Sequence, residues 1–94
     1  MTREMELFRK MLDDNGIEWN DASEMDVYPI TRTHFNYRGY DWSVIHGYGS
    51  WGGYSHLKRD DGLLELMSGA VNDGEPVGYL TAKEAFDYVI GDKE

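Results

Sequence analysis

Apolar residues recur at helical spacing at the two ends of the chain and at strand spacing between them. In TREMELFRKMLDDNG, Met5, Phe8, Met11 and Leu12 fall three and four residues apart and form one apolar stripe, which predicts a helix over residues 1–16. Thr2 is placed to act as its N-cap. Asn15-Gly16 supplies a left-handed C-cap, and Ile17 is the apolar residue that commonly follows such a stop. The second helical pattern, YLTAKEAFDYVIG, predicts a helix over residues 80–91. Thr81 and Glu84 have capping-box spacing, and Leu80 and Ala85 sit at staple positions. Ala85, Phe86, Val89 and Ile90 form the expected buried stripe, Gly91 ends the helix, and residues 92–94 are expected to fray.

Residues 17–79 read as mainly β, with acidic loops. IEWND is a candidate short strand with Ile17 and Trp19 on one face, and ASEMDVYP is acidic and irregular. From Ile30 the chain is rich in Thr, Tyr, Phe, Trp, Val and Ile, the residues that suit a pleated surface. Thr33, Phe35 and Tyr37 alternate with Arg32, His34 and Asn36; after a turn at Arg38-Gly39, Tyr40, Trp42, Val44 and His46 share a face. YSHLKR is a candidate third strand and GLLELMSG a fourth, with Asp60-Asp61-Gly62 as the turn between them, and NDGEP is a further turn. Helix, a meander of three or four antiparallel strands, then helix is an α+β domain with both helices on one face. At 94 residues the chain reads as a single domain, 1–94, able to bury one modest core.

Charge narrows the function. There are 18 acidic against nine basic residues, a net charge of −9, and the charge is segregated. Residues 1–10 carry +1, 11–31 carry −6 without a single base, 32–59 carry +3 and 60–94 carry −7. So acidic a chain should repel nucleic acid and membrane surfaces and attract a basic protein. It has no cysteine, so neither a disulfide framework nor a thiolate metal site can form. No apolar run approaches a membrane span, and MTREMELFRK has no signal-peptide core, so the sequence reads as that of a soluble cytoplasmic protein.

The residues from His46 to His56, HGYGSWGGYSH, match G-x-G-x-x-G at Gly47, Gly49 and Gly52. A dinucleotide fingerprint needs a helix directly afterwards, and GYSHLKRDDG has no helical stripe. A phosphate-binding P-loop needs Gly-Lys-Ser/Thr at its end, which is absent. The glycines therefore read as permitting positive φ in a turn or bulge. His46 and His56, with Asp60 or Asp61, make a two-histidine-one-carboxylate set if their strands converge, but their spacing is not a metal signature, and no metal or cofactor is expected. Paired carboxylates are abundant in turn-like contexts, and no G-x-S-x-G surrounds a serine, so no catalytic set is expected and the chain reads as a non-enzyme.

Interaction remains. Tyr48, Trp51 and Tyr54 stand among glycines, and Tyr and Trp suit binding hot spots. Trp42 is expected in the core; Trp51 either fills the core or stands out on the loop. FNYRGYDWSVIHGYGSWGG, GLLEL and GYLTAKEAFDYVI together resemble small acidic accessory proteins encoded in prophages of Gram-positive and actinobacterial bacteria, over roughly residues 30–90. The resemblance brings no motif with known functional residues. Some proteins of that kind inhibit host defence, anti-CRISPR proteins among them, by filling a nucleic-acid-binding or PAM-reading groove with carboxylates in place of phosphates. It implies a phage-derived protein that binds and inhibits a basic host protein in the bacterial cytoplasm, a CRISPR-Cas effector being the most concrete case. The carboxylates it points to are Asp13, Asp14, Glu18, Asp21, Glu24, Asp26, Asp60 and Asp61. The alternative is a small-ligand protein whose loop 46–56 holds a nucleotide, its ring on Tyr48 or Trp51 and its phosphates on glycine N–H groups; net charge opposes an anionic ligand unless Arg32, Arg38, Lys58 and Arg59 converge. A third possibility is a homo-oligomer paired through sheet edges.

Overall fold

A computed structural model describes residues 1–91; the expected fraying of 92–94 lies outside the described residues. Helix α1 (Arg3–Asp14) is followed by strands β1 (Asn20–Asp21), β2 (Ile30–Tyr37), β3 (Tyr40–Gly47) and β4 (Leu64–Ser68). A 3₁₀ turn at Asn72–Gly74, strand β5 (Val77–Leu80) and helix α2 (Ala82–Ile90) complete the elements of the described residues. The strands form one antiparallel sheet in the order β1-β2-β3-β4-β5. The α+β meander is as expected, with five strands rather than three or four.

The local stop and start chemistry fixes the helix ends. At α1, Ile17 N–H reaches Leu12 O at 2.9 Å and Gly16 N–H reaches Asp13 O at 3.1 Å, the paired bonds of a Schellman stop, with Gly16 at φ 69°. Thr2 occupies the N-cap position, but its hydroxyl does not cap; it donates to Gly62 O at 2.9 Å and pins the helix start to the loop before β4. At α2, Thr81 and Glu84 form the full reciprocal capping box, and Gly91 takes φ 86°. A further link joins the helices: Glu4 Oε1 accepts from Ala82 N–H at 2.7 Å.

The inward stripe of the sheet (Phe35, Trp42, Val44, Leu64, Leu66) packs on Met5, Phe8 and Leu12 of α1 and on Ala82, Ala85 and Val89 of α2. Trp42 is wholly buried, its ring stacked on Phe35 and its Nε1–H donated to Tyr37 O. Ile90, expected in the buried stripe of α2, is exposed; the buried residues of the helix are Ala82, Ala85 and Val89.

Arg38 and Gly39 both take positive φ, as a two-residue type I′ hairpin requires, and the register aligns Tyr37 with Tyr40. Two other expectations shift. The first strand is Asn20–Asp21, while Ile17 turns inward as the residue closing the α1 stop. YSHLKR forms no strand: β4 already pairs with β3, so residues 54–59 have no free ladder edge, and Tyr54 makes only an isolated bridge to Tyr48.

Candidate functional site

The end of the sheet where β2 begins and β3 finishes gathers the unusual residues of the chain. The turn from Glu24 to Ile30 closes by a reciprocal pair of backbone bonds at 2.8 Å and carries Met25, Val27 and Tyr28 outward. The long connection from β3 to β4 packs against it. Tyr28 stacks on Tyr48 with centroids 4.3 Å apart, and His56 meets both rings edge-on at 6.1 and 5.1 Å. Tyr54 sits edge-on to Tyr48 at 5.9 Å. Val27 precedes one member of this knot and Leu57 follows another, and both stand in water, 79% and 99% exposed.

Glycine makes the loop possible by close approach as much as by φ. A Cβ at Gly47 would come within 2.6 Å of Pro29 O, and one at Gly53 would collide with Gly47 O and Ser50 Oγ. The loop's amides are committed to itself: Gly49 N–H to Tyr54 O, Ser50 and Tyr54 N–H to Gly47 O, Gly53 N–H to Ser50 O, and Gly47 N–H to the buried Ser50 hydroxyl. Trp51 N–H goes to Glu65 Oε1 at 2.8 Å. These donors are turned away from any phosphate. Trp51 is half exposed and lies over Gly78 of β5, on another side of the loop from the tyrosine knot. Tyr48 and Tyr54 are half-buried.

Beside the knot lies a cavity of about 420 Å³. Its lining includes Met1 and Thr2 at the start of α1, Met25 and Pro29 from the turn, Thr31 and His46 as cross-strand neighbours on β2 and β3, and Tyr54 and Asp60 from the connection. His46 is buried, and its Nε2 lies 2.8 Å from Asp60 Oδ1; the same oxygen accepts Gly62 N–H at 2.8 Å. Partial burial works against the charged form of Asp60. The hydrogen bonds from His46 and Gly62, with the charges of His46 and Lys58, outweigh it and hold the carboxyl below its ordinary range.

The expected acidic residues do not make one face. Asp60, with Glu24 and Asp26 on the adjoining turn, belongs to this end. Asp13 and Glu18 line a separate hollow beside Trp19, whose Nε1–H donates to Asp13 Oδ1 at 2.8 Å. Asp14 pairs with Lys10, Asp21 with Arg9, Glu24 with Arg32 and Asp61 with Lys58. At Asp21 the Ser23 hydroxyl and amide, joined by Arg9, lower the carboxyl against a smaller opposing effect of burial. The four bases on which an anionic ligand would depend are not gathered at the glycine loop. Arg32 holds Glu24, Arg38 holds the end of α2, and Lys58 lies 4.9 Å from the Tyr79 ring centroid. His46 and His56 also part company, one on Asp60 and the other in the tyrosine knot, and among the described residues no three metal-ligating side chains assemble.

Sequence reasoning missed Tyr28, Met25, Val27 and Leu57. The trace was present in MDVYP and HLKR, where apolar residues sit among charges with neither helical nor strand period and so have no inner face to join. No protein-family model, curated protein or solved structure matches the chain. No helix among the described residues is long and apolar enough to cross a membrane.

Proposed function

We propose that this chain is a non-enzymatic binding protein that grips a basic protein surface with the loop end of its sheet. The observation that carries the reading is the pair of largely bare apolar side chains, Val27 and Leu57, each next in sequence to a ring of the tyrosine knot, on segments that also carry Glu24, Asp26, Asp60 and Asp61. Apolar groups standing fully in water at the tips of two loops tied together by stacked rings suit the centre of an interface with a charged rim. The net charge of −9 would speed encounter with a basic partner. The resemblance to small acidic prophage proteins makes the nucleic-acid-binding surface of a host protein, as in anti-CRISPR-type inhibition, the concrete partner class. The nucleotide alternative has less support, because the amides of Gly47, Gly49, Ser50, Gly53 and Tyr54 are bonded within the loop and that of Trp51 to Glu65.

The test is affinity capture from the host with the wild-type chain and with a Val27→Ser, Leu57→Ser double variant. Both positions are solvent-exposed, so the variant should keep its fold by circular dichroism. The expected result is a partner captured by the wild type, released by rising salt and lost by the variant. Undiminished capture by the variant overturns this face.

A further inference from the structure

We infer that the cavity at Asp60 is an anchor pocket for one guanidinium side chain, an arginine presented by the partner protein. The inference rests on the reading of the chain as a binder of basic proteins and names the group its carboxylate takes.

Acceptor inventory is the first ground. Both hydrogen bonds to Asp60 fall on Oδ1, from His46 and from Gly62 N–H; Oδ2 has no hydrogen-bond partner among the described residues. An ionised carboxylate only accepts, so the His46 nitrogen facing it must carry a proton. A carboxylate oxygen without a donor thus borders the cavity, and the group it lacks is a hydrogen-bond donor.

Shape and solvation select which donor. Met25, Pro29 and Tyr54 give the cavity thioether, ring and aromatic surfaces. A guanidinium is planar, weakly hydrated and stacks on such surfaces, whereas an ammonium is strongly hydrated and needs acceptors in three directions. A volume of about 420 Å³ lies in the range of small-molecule pockets. Among the described residues no Lys or Arg side chain lines it: Lys58 lies between Asp61 and the Tyr79 ring, and Arg59 is not part of the lining. The start of α1 reaches the cavity through Thr2 and taken alone favours an anion, but the Asp60 carboxylate already supplies that negative charge.

The experiment is an amide-resolved NMR titration of the intact protein with Nα-acetyl-arginine methylamide, its lysine counterpart and the neutral isostere Nα-acetyl-citrulline methylamide. Saturable shifts from the arginine probe at residues 25, 31, 46, 54 and 60–62 are expected, with weaker ones from lysine and none from citrulline. Asp60→Asn keeps an acceptor for His46 and Gly62 and should weaken arginine binding about ten-fold or more. Met25→Trp, at an exposed position, should block the cavity without unfolding the chain. Equal shifts with citrulline, unchanged affinity in either variant, or no saturable shift up to about 100 mM arginine probe overturns the pocket. Partner capture that depends on Val27 and Leu57 but survives Asp60→Asn removes the pocket alone and leaves the proposed function standing.

Discussion

Arg9 Nε donates to Thr33 Oγ1 at 2.7 Å, inside the seam between α1 and the sheet. The Thr33 hydroxyl in turn donates a hydrogen bond to Met5 Sδ at 3.2 Å. The Arg9 head then runs out under the edge strand, where Nη2 reaches Asp21 Oδ1 and Arg32 O, both at 3.2 Å, and the guanidinium lies 4.5 Å from the Trp19 ring centroid. One residue thus binds helix, edge strand and second strand: its Nε is bonded in the buried seam, and its Nη2 nearer the rim, where solvation of the charge is partly kept.

Arg9→Ala removes this stem and all its bonds, and should cost about 2–4 kcal/mol of stability in urea unfolding. Asp21→Asn, at the exposed end of the same chain of contacts, should cost distinctly less. Equal losses would mean that the ion pair, and not the buried stem with its Thr33 bond, carries the stabilisation.

Arg38 supplies a cation that α2 lacks in its own last turn. From the β2–β3 hairpin its Nε donates to Val89 O at 2.8 Å and its Nη2 to Tyr88 O at 3.3 Å, at the negative end of the helix. Arg38→Ala should lower stability by about 1 kcal/mol and speed amide exchange in the last turn of α2. Arg38→Lys keeps the charge but not the fork, and should recover only part of both effects. Wild-type exchange in the alanine variant would assign the end of α2 to Gly91 alone.

The parts of this fold that were legible in the sequence are those decided within a few residues. The capping box of Thr81 and Glu84, the Gly16-Ile17 stop and the Arg38-Gly39 hairpin each follow from groups at fixed short spacing. Strand assignment failed where pairing decided it. Residues 54–59 have strand-like composition, but β3 takes β4 as its neighbour and Tyr54 makes only an isolated bridge to Tyr48; the expected IEWND strand narrows to Asn20–Asp21, the part that pairs with β2. Arg9 reads as a surface charge on a helix until Thr33, 24 residues away, is known to lie under it. The site was half visible. Of the set His46, His56 and Asp60 or Asp61, His46 and Asp60 do meet, across a 14-residue loop closure, while His56 lies in the tyrosine knot.

Glycine substitutions in the long connection separate close approach from backbone conformation. Gly49 has φ 81° and open space where a Cβ would go, so Gly49→Ala should cost only the strain of a left-handed alanine, about 1 kcal/mol. A Cβ at Gly53 meets Gly47 O and the Ser50 hydroxyl, and cannot be accommodated without breaking the loop's internal bonds. Gly53→Ala should therefore destabilise more than Gly49→Ala and shift the amide resonances of residues 47–54. A smaller loss at Gly53 than at Gly49 would show that the loop core can open at little cost.

The His46–Asp60 contact sets a pH signature. Burial at Asp60 favours the neutral acid, but the bonds from His46 and Gly62 and the charges of His46 and Lys58 prevail, so the folded-state pKa lies below the ordinary value near 3.8. A group whose pKa is depressed on folding contributes stability that is complete above its unfolded value and disappears as pH falls through the folded one. The stability difference between wild type and Asp60→Asn should thus shrink steadily as the solution is acidified from about pH 4 downward. Urea denaturation of both proteins at intervals across that window measures it. A difference that stays constant down to the acid limit of folding would mean that Asp60 titrates alike in the folded and unfolded chains, and that the contact with His46 does not favour the carboxylate.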